Sequence, residues 1–144
     1  MTLEEILRSK GTEVYTISPD ATLSDVVQTL VTRNCGSLVV CRDDDSLAMI
    51  GIITERDILR ACAAHRGSLD RVRVIEVMTG NLVTGRLRDE VEVVMGVMTR
   101  ERIRHLPVVE EGRLMGLVSI GDIVKAQHDR LTMENHYLKE YIQI

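Results

Sequence analysis

Hydrophobic positions along the chain alternate between helical spacing and short apolar runs, and this alternation occurs twice. Apolar residues between positions 23 and 31 recur every three or four residues, which indicates a helix. Apolar runs of strand length follow at 38–41 and 49–53. The helical spacing returns between 91 and 98, and apolar runs follow at 106–109 and 114–118. With a short strand predicted around Thr16 and Thr84, each half has the order β-α-β-β-α.

The two halves also align residue by residue, as two copies of one repeat. Thr16 aligns with Thr84 at an offset of 84 − 16 = 68, and Gly51 aligns with Gly116 at an offset of 116 − 51 = 65. The difference falls in the polar segment Arg42-Asp-Asp-Asp-Ser, which is typical of a turn that tolerates insertions. An internal repeat of this length is the strongest indication of the architecture.

Several local signals mark where the predicted elements begin and end. Asp20 and Thr22 are candidate caps of the first long helix, and Glu111-Gly112 fits a tight hairpin. A final helix of each repeat begins at Thr54 or Ser119. Short helices are also expected ahead of each repeat, where Ile6-Leu7 aligns with Val74-Ile75.

We predict an α/β (α+β) fold in which the tandem motifs pack as a pseudo-twofold pair through their small sheets, with clefts between the halves. Motif 1 with an N-terminal helix is expected over residues 1–68, and motif 2 with a linker helix over 69–130. A C-terminal helical tail is expected over 131–144. Its stripe of Leu131, Leu138 and Ile142 would pack back on the core or onto another chain.

Composition removes several classes of function. The 144 residues include 18 Lys and Arg against 22 Asp and Glu, a net charge of −4, and there is no Trp or Phe. An acidic chain without aromatic platforms is a poor nucleic-acid binder. No apolar run approaches the ~20 residues of a membrane span, and no basic-then-apolar leader opens the chain, so a cytoplasmic location is expected. The three cysteines lack metal-ligand spacing, so no metal site is predicted.

The chemistry lies in a motif that occurs once in each repeat. It reads Gly51-Ile-Ile-Thr-Glu-Arg-Asp57 and Gly116-Leu-Val-Ser-Ile-Gly-Asp122. One interpretation is a helix cap, because Ser or Thr followed three residues later by an acidic residue resembles a capping box. The other is a nucleotide site: the strand-to-helix junction favours phosphate, and an ionised Asp accepts hydrogen bonds from ribose hydroxyls.

The doubled element order and doubled Gly-apolar-apolar-[Thr/Ser]-x-x-Asp motif resemble the CBS domain pair, the family named after cystathionine β-synthase. Val77-Met-Thr and Arg104-His-Leu-Pro-Val add to the resemblance, which covers nearly the whole chain. The chain looks like the short bacterial stand-alone CBS-pair proteins. The resemblance implies a Bateman module, which binds AMP, ADP, ATP, NAD(H) or S-adenosylmethionine in its clefts and forms homodimers.

The resemblance also implies roles for individual residues. Asp57 and Asp122 match the family's ribose-binding Asp, and Thr54 and Ser119 match its phosphate-side hydroxyl. The early strand and the start of the next strand line the pocket for the base and phosphate. The matched positions there are Thr16, Ile17, Gly36, Ser37 and Leu38 in motif 1, and Thr84, Gly85, Arg104, His105, Leu106 and Pro107 in motif 2.

The two motifs differ in charge. Arg104 and His105 stand where motif 1 has Gly36 and Ser37, so phosphate would be favoured in motif 2. Arg56 lies inside the first motif and is either a ligand contact or an exposed first-turn residue. His105 is either a donor to the ligand or a histidine bonded to backbone.

Three functions follow from these observations. The leading one is a non-catalytic nucleotide sensor that signals in trans to an unidentified protein effector. The second is a dimerisation or interaction module whose Thr/Asp pairs only cap helices. An enzyme is the least favoured, because no nucleophile–base pair, P-loop lysine or metalloprotease motif is present in the sequence.

Overall fold

The computed structural model describes residues 1–42, 48–65 and 68–143. Most of the predicted turn after Arg42 lies outside these residues. The elements in chain order are α1 (Leu3–Lys10), β1 (Thr16–Ile17), α2 (Leu23–Arg33), β2 (Ser37–Cys41), β3 (Met49–Thr54), α3 (Glu55–His65), a 3-10 turn (Leu69–Arg71), α4 (Val74–Val77), α5 (Val91–Glu101), β4 (His105–Glu110), β5 (Arg113–Ser119) and α6 (Ile120–Gln143).

These elements form two compact units, each built around one repeat. The repeat-1 unit comprises Glu13–Thr84 and Val109–Leu114, and the repeat-2 unit comprises Met1–Thr12, Gly85–Val108 and Met115–Ile144. The short helix ahead of each repeat therefore belongs to the other repeat's unit: α4 to the repeat-1 unit and α1 to the repeat-2 unit. The grouping differs from the sequential boundaries at 68 and 130 that the sequence led us to expect.

The repeat-1 unit contains a three-stranded sheet in the order β1-β2-β3. Strand β1 runs parallel to β2, and β3 runs antiparallel to it with Ser37 opposite Thr54. All five residues of β2 are buried, as its apolar run predicts. Helix α2 covers the sheet with its apolar stripe. Thr22 is its N-cap, through a reciprocal bond with Asp25, whereas Asp20 precedes the cap.

The repeat-2 unit differs from the prediction at its first strand. No strand forms around Thr84, and only an isolated parallel bridge joins Gly85 to Val108. A turn follows directly, in which the Asp89 N–H donates to the Arg86 carbonyl and the Arg86 N–H donates to the Asp89 carboxylate. Because of this turn, the pairing with β4 does not continue beyond Gly85. In repeat 1 the corresponding residues, Ile17 and Val40, also pair in parallel. Gly85 and Val108 each lie 68 residues further along the chain, so the bridge keeps the predicted offset.

Strands β4 and β5 form the predicted hairpin. Its turn residues Glu111 and Gly112 both have positive φ, 50° and 76°. A two-residue turn with positive φ at both positions matches the right-handed twist of the strands it joins. Pro107 lies in β4, and its carbonyl accepts from the Gly85 N–H at 2.9 Å.

The short helices ahead of the repeats pack in equivalent ways within their units. The N–H of Leu23 at the start of α2 donates to the Val72 carbonyl, just before α4. The N–H of Val91 at the start of α5 donates to the Met1 carbonyl, just before α1. Each long helix thus begins against the segment that precedes a short one.

Helix α6 continues far beyond the repeat, as predicted. Its only buried residue is Ile123, and every side chain from His128 to Gln143 is exposed. Leu131 and Glu134 border a hollow together with Met1 and Val91, and the side chains that follow them are exposed. No helix among the described residues is long and apolar enough to cross a membrane.

Candidate functional site

The motif-1 site is the junction where β3 runs into α3. The backbone N–H of Thr54 donates to Asp57 Oδ2 at 2.9 Å, and the N–H of Asp57 is 3.4 Å from Thr54 Oγ1. Thr54 Oγ1 also lies 3.3 Å from Asp57 Oδ2. Asp57 is 8% exposed. The capping interpretation is therefore correct for this pair, and Asp57 is held rigidly at the helix start.

The start of β2 lies beside this junction. Ser37 pairs with Thr54 across the sheet, and the Glu55 N–H donates to the Gly36 carbonyl at 3.1 Å. Ser37 is buried, and Leu38 is fully buried in the core. The structure therefore brings Gly36 and Ser37 together with the hydroxyl–carboxylate pair.

The other residues predicted for motif 1 lie on the sheet edge or on the surface. Thr16 is exposed on β1 and pairs with Val39, two positions from Ser37, and Ile17 is half-buried beside it. Arg56 is exposed and forms no ion pair within the described part of the chain, which fits the surface alternative for this residue.

The motif-2 site repeats this arrangement where β5 runs into α6. The Ser119 N–H donates to Asp122 Oδ2 at 2.8 Å, and the Asp122 N–H donates to Ser119 Oγ at 3.1 Å. The Ile120 N–H donates to the Arg104 carbonyl at 2.9 Å, the counterpart of the bond from Glu55 to Gly36. The doubled motif thus produces doubled geometry.

Of the remaining residues predicted for motif 2, three lie on β4 and Thr84 lies outside any strand. His105 is half-buried, and Leu106 and Pro107 are buried, all on β4 directly after Arg104. Thr84 is exposed and directly precedes Gly85, whose N–H donates to the Pro107 carbonyl at 2.9 Å. The backbone at Thr84 is not part of a strand, and its role toward a ligand stays a prediction.

Sequence reasoning missed Lys10, the last residue of α1. Its ammonium Nζ donates to Asp122 Oδ2 at 2.6 Å and to the Leu117 carbonyl at 2.7 Å. The ion pair is partly sheltered, with side-chain exposures of 33% for Lys10 and 24% for Asp122. Because 112 residues separate the partners, no local spacing pointed to the contact.

The surroundings of Asp122 change its acidity. Burial raises the pKa of this carboxyl, but the hydrogen bond from Lys10, the Ser119 N–H, the charge of Lys10 and the Ser119 hydroxyl together outweigh burial. The pKa of Asp122 therefore lies below its ordinary value. Asp122 is ionised at neutral pH and acts only as a hydrogen-bond acceptor.

Both carboxylates keep acceptor capacity after capping their helices. Each uses Oδ2 for the cap, and Oδ1 of Asp57 and of Asp122 accepts no hydrogen bond from the described residues. Within those residues, no three His, Cys, Asp or Glu side chains are placed to hold a metal ion. The chemistry available at each junction is hydrogen bonding to hydroxyl groups and, in motif 2, ion pairing with an anion.

Comparisons with known proteins agree with this doubled geometry. A family model described as CBS domain matches residues 3–64 and again residues 74–129. The CBS domain-containing protein CBSX3, mitochondrial, from Arabidopsis thaliana is 35% identical over 148 residues, covering 99% of this chain and 72% of that protein.

Solved structures share the fold. The CBS-domain containing protein ATU1752 from Agrobacterium tumefaciens has a TM-score of 0.84 and 36% identity, covering 88% of this chain and 99% of that one. The CBS domain protein PAE2072 from Pyrobaculum aerophilum, complexed with AMP, has a TM-score of 0.74 and 30% identity, covering 85% and 89%. The chain therefore belongs to the CBS-domain family and carries two CBS domains in tandem.

Proposed function

We propose that this protein is a non-catalytic regulatory module that binds an adenine nucleotide, of the AMP, ADP, ATP or NAD type, at its hydroxyl–carboxylate pairs. The observation that carries the proposal is the doubled junction, in which a rigidly held Asp retains one carboxylate oxygen for a ligand. The AMP complex of the related Pyrobaculum protein supports the choice of ligand.

Each residue of a junction has a defined task in this proposal. Asp57 or Asp122 accepts hydrogen bonds from the ribose hydroxyls, which an ionised carboxylate does well. Thr54 or Ser119 supplies a hydroxyl on the phosphate side, and Arg104 and His105 add cationic or polar donors in motif 2. The base packs against aliphatic side chains, among them Ile17 in motif 1 and Leu106 in motif 2.

The bound nucleotide acts by biasing conformation. A ligand shifts an equilibrium only as far as it binds one state better than the other. We propose that the favoured state is read in trans by a protein effector, and that this takes place in the cytoplasm.

Thermal unfolding with a panel of ligands tests the proposal. Wild type and Asp57→Asn/Asp122→Asn are compared with AMP, ATP, NADH, S-adenosylmethionine and GTP at millimolar concentration. A ligand present at 100 times its dissociation constant adds about 2.7 kcal/mol to the free energy of unfolding. We expect one adenine ligand to raise the Tm of wild type by several degrees and to leave the double variant unchanged.

The Asn variant is a matched control because its amide oxygen still caps the helix while its NH₂ group replaces the acceptor that faces a ligand. An equal Tm rise in both proteins would place binding elsewhere. No rise with any ligand, in a well-folded wild type, would contradict the nucleotide proposal.

A second candidate function, self-association, is favoured by the exposed tail of α6. Leu131, Leu138 and Ile142 are 61%, 58% and 79% exposed and lie along one stripe of the helix. The stripe lies beyond residue 129, where the second family match ends. Exposed apolar surface of this kind marks an interaction site, and we propose a homodimer in which two copies of this stripe pack together.

Sedimentation velocity tests the dimer. Leu131→Glu/Leu138→Glu is expected to convert the wild-type dimer to monomer, because four carboxylates would be buried without partners. Thr132→Glu/Gln143→Glu adds the same charge to α6 about 100–120° around the helix from the stripe and is expected to remain dimeric. A monomeric wild type, or a dimeric Leu131→Glu/Leu138→Glu, would overturn the proposal.

A further inference from the structure

The two junctions share their hydrogen bonds but not their charges. Asp122 Oδ2 accepts from the Lys10 ammonium at 2.6 Å, whereas the described residues offer Asp57 no cationic partner. At the offset of 68, Lys10 corresponds to Met78 (10 + 68 = 78) and Arg104 to Gly36 (104 − 68 = 36). The chain has therefore placed two cations in motif 2 at positions where motif 1 has neutral residues.

We infer that Lys10 is a specificity-determining residue, which makes motif 2 select a phosphorylated nucleoside over the uncharged nucleoside. The inference rests on the proposed nucleotide-binding function and names the ligand class of its second site. Motif 1, without the equivalent cation, discriminates less between the two ligands.

The position of the ammonium group supports a role toward a ligand. Lys10 has three N–H donors, of which Asp122 Oδ2 and the Leu117 carbonyl take two. The described residues offer no acceptor for the third. Leu117 belongs to β5, and its carbonyl holds the ammonium beside the carboxylate.

The site thus presents a hydrogen-bond donor and an acceptor side by side. Asp122 Oδ1 is the unused acceptor and suits a sugar hydroxyl, while the third N–H of Lys10 suits an anionic oxygen. A sugar phosphate carries both groups on neighbouring atoms. A nucleoside bonds only to the carboxylate and offers no anionic oxygen to the third N–H of Lys10.

Net charge favours the same ligand. Lys10 and Arg104 each contribute +1 to the motif-2 junction, and Asp122 contributes −1, so the three groups sum to +1. Arg104 is exposed, forms no ion pair within the described residues, and its carbonyl bonds to the first N–H of α6. In motif 1 the exposed Arg56 makes no ion pair with Asp57.

Titration calorimetry with AMP and adenosine tests the inference. The full chain is used in an Asp57→Asn background, which removes the acceptor of motif 1. Lys10→Met gives motif 2 the residue found at the equivalent position of motif 1, and Lys10→Arg retains the charge. Arg8→Met removes one charge from the same helix at a site 74% exposed, whose only ion-pair partner among the described residues is Glu4, and serves as the matched control.

We expect Lys10→Met to weaken AMP binding about tenfold or more, the loss expected for one charge-assisted hydrogen bond. Adenosine affinity should change less than about threefold. Lys10→Arg should retain most of the preference for AMP, and Arg8→Met should retain all of it. Far-UV circular dichroism of each variant checks that the total helical content matches that of wild type.

Other outcomes overturn one or both proposals. If Lys10→Met weakens the binding of AMP and of adenosine equally, or changes neither affinity, Lys10 is only a structural partner of Asp122. The inference then fails while the proposed function stands. If Lys10→Met strengthens the binding of adenosine and of AMP alike, Lys10 competes with both ligands for Asp122 and the inference is wrong. If neither the wild type nor any variant binds AMP or adenosine, and no other ligand of the unfolding panel raises the Tm, the proposed function fails with it.

Discussion

At the scale of single residues, Asp57 and Asp122 each cap the start of a helix and, in the proposed function, also bind the ribose. Each carboxylate accepts the N–H of the residue three positions earlier through Oδ2 and leaves Oδ1 for a ligand. Capping and the proposed binding are therefore compatible, because they use different oxygens of one carboxylate. The sequence motif predicted this pair because its spacing is local.

The depressed pKa of Asp122 predicts a specific loss of stability in acid. A group whose native pKa lies below its unfolded value stabilises the fold above the unfolded pKa, and the effect disappears as pH falls through the native pKa. Wild type should exceed Asp122→Asn in free energy of unfolding by up to about 1 kcal/mol at neutral pH, since the pair is only partly sheltered. The difference should persist to about pH 4 and vanish below it.

Urea unfolding between neutral pH and about pH 2.5 measures this difference, with Lys10→Met as the control that removes the cation instead of the anion. A difference that stays constant to the acid end, or grows there, would contradict the proposed contribution of the ion pair.

At the scale of elements, the sequence predicted those helices and turns that short-range spacing and capping determine. The helical spacing and cap at Thr22 gave α2, and the positive-φ turn at Glu111-Gly112 gave the β4–β5 hairpin. The strand expected at Thr84 was wrong because a turn between Arg86 and Asp89 ends the pairing after one bridge. The Lys10 contact was missed because it depends on packing between distant segments.

The motif glycines predict unequal sensitivity to a methyl group. A Cβ on Gly51 would lie 2.7 Å from Met78 Sδ and 2.9 Å from the backbone carbonyl of Thr79, which cannot yield easily. A Cβ on Gly116 would meet only the flexible side chain of Leu7, at 2.7 Å. Gly51→Ala should therefore destabilise the protein by about 1–3 kcal/mol, and Gly116→Ala should cost less.

Gly96 supplies the internal control for these glycine substitutions. It lies in α5, and a Cβ there would meet nothing within 4 Å. Gly96→Ala should stabilise the protein by about 0.5–1 kcal/mol, the difference in helix propensity. Urea unfolding ranks the three variants, and a Gly51→Ala protein as stable as wild type would show that the packing around Met78 is looser than described.

At the scale of the whole molecule, the repeat was visible in sequence but the grouping of its parts was not. An offset of 68 relates the strand pairings of the two repeats, and the family matches at 3–64 and 74–129 follow the chain in order. The compact units instead exchange the short helices α1 and α4. Which unit a short helix joins depends on apolar contacts distant in sequence, which periodicity does not report.

That exchange has a functional consequence for the repeat-2 unit. Because α1 packs there, its last residue reaches Asp122, and the two junctions of one chain acquire different charges. A regulatory protein with two unlike junctions can respond to two ligands or to one ligand at two concentrations. This asymmetry arises from Lys10, whose counterpart at the offset of 68 is Met78, and from Arg104, whose counterpart is Gly36.

The central claim is that the carboxylates of Asp57 and Asp122 bind the ribose hydroxyls. The most direct test is a double-mutant cycle in which the ribose hydroxyls of the ligand and the two carboxylates of the protein are removed separately and together. Titration calorimetry compares AMP with 2′,3′-dideoxy-AMP on wild type and on Asp57→Asn/Asp122→Asn. If the carboxylates hold the ribose, removing the hydroxyls should weaken binding to wild type by about tenfold or more and to the double variant by less than about threefold. An equal loss in both proteins, or no binding of AMP to wild type, would contradict the account.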